Sequence, residues 1–262
     1  MNEMSEFVFD PMDGALRLAL ASILLVFAII LSRYRGIGVE KELLVGSTRA
    51  LLQLAVIGLI LTAIFENEKI IFMALMIAGM IVLGGYTSAR RASGLPSPMK
   101  ITLPSIAIGS SIVILFLTGI QVIPVRAEFV IPIGGMAVGN SMNMCSLFLN
   151  NFKREMQSRH NEIEVRLALG ASGEIALAPH LRFSIRSALI PTLDNLKTLG
   201  FVFIPGAMTG MMIGGADPIW AAEYQLIVFF MIIASGMIAM VLASKLVSRQ
   251  IINPAQQIVE IG

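Results

Sequence analysis

The sequence predicts an all-α fold, a polytopic transmembrane bundle of about seven helices with the N-terminus outside and the C-terminus cytoplasmic. Three observations predict it. Of the 262 residues, 56% are hydrophobic and only 14% are charged, where an ordinary soluble domain carries roughly a quarter. The apolar runs are long enough to cross a bilayer, which takes about 20 helical residues. The basic residues gather on alternate connections between those runs, as they do when one side of a membrane retains them.

The candidate spans are 15–32, 43–65, 70–88, 101–121, 129–150, 199–216 and 222–246. No Lys or Arg precedes Arg17. A secretory signal needs a basic leading region and a small-residue cleavage site, so the first run is expected to stay as a spanning helix. The second carries Arg49 and Gln53, four residues apart and therefore on one face. Arg49 lies roughly 9 Å from the cytoplasmic end at 1.5 Å per residue. It can snorkel to that interface or serve as a gating or ion-pairing group.

The fifth run is the most polar. Met136, Asn140, Asn143 and Met144 fall at helical spacing on a single stripe. Amides facing lipid would be left unsatisfied, so the stripe is expected to face protein or water. Met142 and Cys145 lie near it, and the sixth run adds Met208, Met211 and Met212. Thioethers are adaptable packing groups and also soft metal ligands; both readings stay open, and no metal-ligand set is assigned. Gly135 with Gly139, and Gly206 with Gly210 and Gly214, form small-residue runs that allow close helix packing within one subunit or between two. Pro205 is expected to kink or start the sixth span.

Orientation follows from the basic residues. With the N-terminus outside, the cytoplasmic connections hold Arg33, Arg35 and Lys41, then Arg90, Arg91 and Lys100. The long connection 151–198 holds seven more, and Lys245 and Arg249 follow the last span. The outside keeps only Arg17, Lys69 and Arg126. Cytoplasmic loops carry such an excess.

Several functions are disfavoured. No carboxylate lies near the centre of a span, as proton or sodium coupling would favour. Both histidines, His160 and His180, fall in the long connection, which argues against an intramembrane zinc site or a Ser–His protease. An aspartyl protease would need two Asp residues in spans. No GxxxxGK[ST] loop is present to cradle nucleotide phosphates. A single cysteine, Cys145, makes an intrachain disulfide impossible.

The connection 151–198 projects from the membrane. Residues 162–169 lack helix breakers and read as a short helix ended by Gly170. A second short helix is expected over 179–189, with Arg182 and Arg186 on one face, interrupted by Pro191. Asp194 and Lys197 read as a solvated helix end. Glu164 and Gly170, with Ala168 and Ala171 nearby, are similar to the coupling segment of ABC-transporter permeases, with Val165 and Arg166 in place of two alanines. Four longer stretches, 49–61, 131–143, 164–172 and 187–218, resemble in order the FetB-type permeases. That bacterial family is associated with iron export and has plant relatives associated with aluminium tolerance.

The resemblance implies a single transmembrane permease domain over 1–262 in the cell (inner) membrane, pairing as a homodimer. It implies no enzyme activity and no cofactor on this chain. ATP and Mg are expected on a partner ABC ATPase, gripped at Glu162, Glu164, Arg166, Ala168, Gly170 and Ala171. The cargo implied is a metal ion, iron favoured; the candidate path, read from the polar and thioether residues of the spans, is Arg49, Gln53, Met136, Asn140, Asn143, Met144, Met208 and Met212. An ATP-independent channel or secondary transporter is the alternative.

Overall fold

The computed structural model describes residues 11–67, 69–253 and 257–259. The described chain forms helices α1 (Pro11–Arg35), α2 (Glu40–Asn67), α3 (Ile70–Arg91), α4 (Pro98–Gly119), α5 (Ala127–Ser158), α6 (His160–Ala168), α7 (Gly173–Thr198), α8 (Gly206–Ile213) and α9 (Pro218–Ile251). Five of them, α1, α2, α3, α4 and α9, are long and apolar enough to cross a membrane. Helix α5 has the length, 32 residues, but its asparagines make it less apolar. The protein is a helical membrane bundle.

Two expectations about the helices need correction. The expected span over 199–216 is instead the 8-residue α8, about 12 Å long at 1.5 Å per residue, too short for a hydrocarbon core of about 30 Å. Gly200 (φ +83°) and Gly215 (φ +90°) turn the chain on either side, and Pro205 sits just before the helix. Apolarity there does not make a continuous helix. The expected short helix over 179–189 is instead the 26-residue α7, which runs through both Pro179 and Pro191. Proline costs a helix one hydrogen bond, and the packing of α7 against α5 and α9 outweighs it.

Helices α1 and α2 form one compact unit, and α3 to α9 form another. In the first, the chain reverses through Gly36 (φ +66°) and Gly38 (φ +82°), conformations that glycine adopts without a Cβ penalty. The buried Ser32 hydroxyl donates to Glu40 Oε1 at 2.7 Å and accepts from the Val39 amide at 3.4 Å, which fastens the turn. Most apolar side chains of both helices are exposed, as suits surfaces whose solvent is lipid.

In the second unit, α9 packs against α4, α5, α7 and α8, and α3 packs against α4 and α5. Small residues set the distances. A Cβ on Gly109 would lie 2.7 Å from the Ser235 carbonyl oxygen and 2.9 Å from the Ala239 amide nitrogen, so α4 meets the backbone of α9. The Met144 sulfur fills the space a Cβ on Gly236 would take. The Thr102 hydroxyl donates to the Gly85 carbonyl at 2.8 Å, and Ser146 joins Ser88 at 3.0 Å. These buried hydroxyls are thereby paired between helices, as a membrane interior favours.

The core continues beyond the expected membrane boundary of α5. Phe148 and Phe152 stack at 6.0 Å among Leu177, Val247 and Ile251, all fully buried. Ile163 of α6 is buried in the same cluster. His180 Nδ1 meets Glu155 Oε1 at 3.0 Å, tying α7 to the last turn of α5. The segment expected to project as two short helices is largely part of the bundle.

The predicted glycine runs behave differently. A Cβ on Gly135 would lie 3.6 Å from the Met80 sulfur, an ordinary contact, whereas one on Gly139, Gly206 or Gly210 would face open space, and one on Gly214 would meet only its own helix. Close approach falls instead at Gly84, Gly85, Gly109 and Gly134. Gly109→Ala is therefore expected to cost about 1–3 kcal/mol through overpacking, read as a lower melting midpoint in detergent. Gly210→Ala is expected to leave the midpoint unchanged or raise it. The reverse pattern would contradict this account of the packing.

Candidate translocation cavity and coupling segment

Helix α5 carries its amides where the spacing predicts. Asn140 is half-buried, Asn143 is exposed and Met144 is buried. Asn140 lines two cavities, of about 370 Å³ and about 220 Å³, and shares that role with Thr192 and Asn195 of α7. The larger is bounded also by Arg91, Asn143, Met144 and Asn150. The smaller is bounded by Met136, Phe203, Gly206, Gln225 and Phe229. The two adjoin across shared walls and together make an amide-rich passage flanked by α5 and α7.

The polar atoms along it are incompletely paired. Asn140 Nδ2 donates to the Met136 carbonyl at 2.8 Å. Arg91 donates from Nη1 to Asn143 Oδ1 at 3.1 Å. Gln225 is 4% exposed, and its Oε1 has no hydrogen-bond partner among the described residues. A buried unpaired carbonyl costs about 1–3 kcal/mol.

The lining is chemically consistent. Amide and hydroxyl oxygens are hard, neutral ligands. Among the described residues, no group of three or more His, Cys, Asp or Glu could hold a metal ion. The methionines divide. Met144 and Met136 line the cavities, Met144 while filling space at Gly236; Met208 and Met212 are half-buried on α8 and do not line them. Arg49 and Gln53 lie on α2 in the other unit and are exposed there.

Sequence reasoning missed Arg91, Asn150, Thr192, Asn195 and Gln225 as cavity residues. Gln225 carried a usable signal, an uncharged polar residue early in a strongly apolar run. Thr192 and Asn195 did not, because the helix was expected to stop at Pro191.

The segment expected to couple to a partner is α6 and the turn after it. Glu162 pairs with Arg166 at 2.8 Å and approaches Arg159 at 3.7 Å; His160 Nδ1 approaches Glu164 at 3.8 Å. Gly170, at φ +90°, donates to the Leu167 carbonyl at 2.9 Å, and the Ala171 amide donates to the Arg166 carbonyl at 3.0 Å. This is the Schellman arrangement, so the expected glycine cap is present. Ile163 is buried and anchors the helix, while Val165 is 57% and Leu169 82% exposed. Ala168 is exposed and Ala171 half-buried. The helix thus presents an apolar tip rimmed by charge, a composition suited to a protein partner.

The sequence model of the Uncharacterised protein family UPF0014 matches residues 15–252. The chain is 34% identical to UPF0014 membrane protein STAR2 of Oryza sativa subsp. japonica, over 89% of this chain and 82% of that one. It is 35% identical to the Probable iron export permease protein FetB of Escherichia coli (strain K12), over 92% of this chain and 93% of that one. It is 32% identical to Protein ALUMINUM SENSITIVE 3 of Arabidopsis thaliana, over 92% of this chain and 88% of that one. No solved structure matches it.

Proposed function

The chain belongs to the UPF0014 family, and from that premise we propose that this multi-pass membrane protein is the permease subunit of an ABC transporter that exports a metal ion. Iron is the first candidate, since one relative is named a probable iron export permease. The ATP and Mg²⁺ belong to a separate ATPase subunit, and two copies of the chain pair in the complex.

One observation carries the reading: the helices that wall the amide-lined cavity also hold the coupling segment. Helix α5 lines the cavity through Asn140 and Asn143 and leads into α6. Helix α7 begins after the Gly170 turn and lines the same cavity through Thr192 and Asn195. Force applied by an ATPase on α6 is therefore delivered to both walls. Closure of the ATPase dimer would tilt α5 against α7 and change which side of the membrane the cavity faces. The metal ion, with part of its water shell, would meet amide and hydroxyl oxygens that hold it briefly. On this reading α6 lies on the cytoplasmic side, which the basic residues around it, Lys153, Arg154, Arg159 and Arg166, support.

The test is co-purification with the ATPase subunit. Leu169→Asp puts a charge on the exposed apolar tip and is expected to abolish retention of the ATPase, and Glu164→Ala to reduce it, with the melting midpoint of the isolated chain unchanged. Full retention by Leu169→Asp would remove α6 as the docking element.

A further inference from the structure

A third cavity, of about 700 Å³, lies between the start of α7 and the end of α9 and shares no lining residue with the amide-lined passage. Its wall includes Ser172, Glu174, Lys245, Ser248, Arg249 and Asn253. Lys245 and Arg249 stand four residues apart, on one face of α9. Both are exposed, and among the described residues neither has a carboxylate partner within ion-pairing distance, Glu174 included. The transport mechanism uses none of these groups.

The position of the basic pair along α9 indicates what it meets. Near the other end of that helix Trp220 and Tyr224 lie with ring centroids 6.3 Å apart, and Trp and Tyr concentrate at the membrane–water interface. From Tyr224 to Lys245 the helix rises about 31 Å at 1.5 Å per residue, which matches a hydrocarbon thickness of about 30 Å. An aromatic pair at one interface therefore places Lys245, Ser248 and Arg249 at headgroup depth in the opposite leaflet. The anion abundant at that depth is the phosphodiester of a lipid. Basic pockets between helices at this level bind such headgroups.

We propose that this cavity binds the headgroup of an anionic phospholipid. Lys245 and Arg249 pair with the phosphodiester oxygens, and Ser172, Ser248 and Asn253 hydrogen-bond the polar headgroup. Two cations against the single carboxylate of Glu174 leave an excess of one positive charge, which matches a singly charged phosphodiester better than doubly charged free phosphate. Because Ser172 directly follows the Gly170 turn, a lipid held there bridges the end of α9 to the root of the coupling segment.

The experiment uses the purified full chain in neutral detergent, with dioleoylphosphatidylglycerol, dioleoylphosphatidylcholine and inorganic phosphate added separately, read by melting midpoint and by native mass spectrometry. Phosphatidylglycerol is expected to raise the midpoint and remain bound, and the other two to do neither. The K245Q/R249Q double variant is expected to lose roughly tenfold or more in phosphatidylglycerol affinity, while K100Q, outside the cavity, keeps it. Glu174→Gln removes the opposing charge and is expected to bind several-fold more tightly, which tests the site even if the double variant misfolds. An equal response to phosphatidylcholine or to phosphate, or unchanged affinity in the double variant or in Glu174→Gln, would overturn the proposal.

Discussion

Asn140→Leu is expected to reduce metal transport by about tenfold or more while leaving the ATPase bound and the chain inserted. Asn140 is one of three residues shared by both lobes of the amide-lined passage, so its side chain stands where they meet. Leucine is similar in length but offers no hydrogen bond. The loss of one polar contact costs about 0.5–1.5 kcal/mol, near tenfold at its upper limit. An apolar constriction also excludes water, which a hydrated cargo needs. Asn140→Asp provides the converse. It keeps the oxygen and adds charge, so it is expected to bind cation more tightly and release it more slowly. Transport by Asn140→Leu at the wild-type rate, in protein shown to be inserted, would sink the assignment of the path.

Gly170→Pro is expected to eliminate ATPase binding at the opposite end of the same machinery. Gly170 sits at φ +90°, whereas proline is fixed near −65°. The substitution also deletes the amide that bonds the Leu167 carbonyl, and it displaces the Ala171 bond to Arg166. The end of α6 then cannot hold its angle to α7, and the apolar tip at Leu169 moves. Gly170→Asn separates geometry from sequence identity, because asparagine tolerates the left-handed region. It is expected to retain most of the ATPase. Loss in both variants would mean that the position tolerates no side chain. Loss in neither would mean that the turn geometry is irrelevant.

The fold class was legible because its signals are local and repeated. Long apolar runs yielded α1 to α4 and α9, and the cap at Gly170 was legible from a glycine after a helical stretch. The stripe on α5 followed from spacing alone. What failed was the reading of punctuation in apolar context. Pro179 and Pro191 look like breaks, yet tertiary packing carries α7 through both. The apolar stretch around α8 looks like a span, yet its glycines turn the chain. The second of these errors shaped the first description of the site. With 199–216 read as a membrane span, Met208 and Met212 stand out, while Asp194 and Lys197 read as a solvated helix end and Thr192 and Asn195 beside them carry no signal. Close-packing glycines were also illegible: Gly109 is not in a small-xxx-small run, and only the path of α9 beside it shows why a Cβ is excluded.

The most direct test of the central claim is metal flux into inside-out proteoliposomes containing the chain with its ATPase subunit, compared with the chain alone. The account predicts that Fe²⁺ accumulates inside only when both subunits and hydrolysable ATP are present, and that Asn140→Leu and Gly170→Pro each prevent it. If the chain alone carried Fe²⁺ down its gradient at the same rate, unaffected by ATP or by the ATPase, an ATP-driven permease would be the wrong description and a channel the right one.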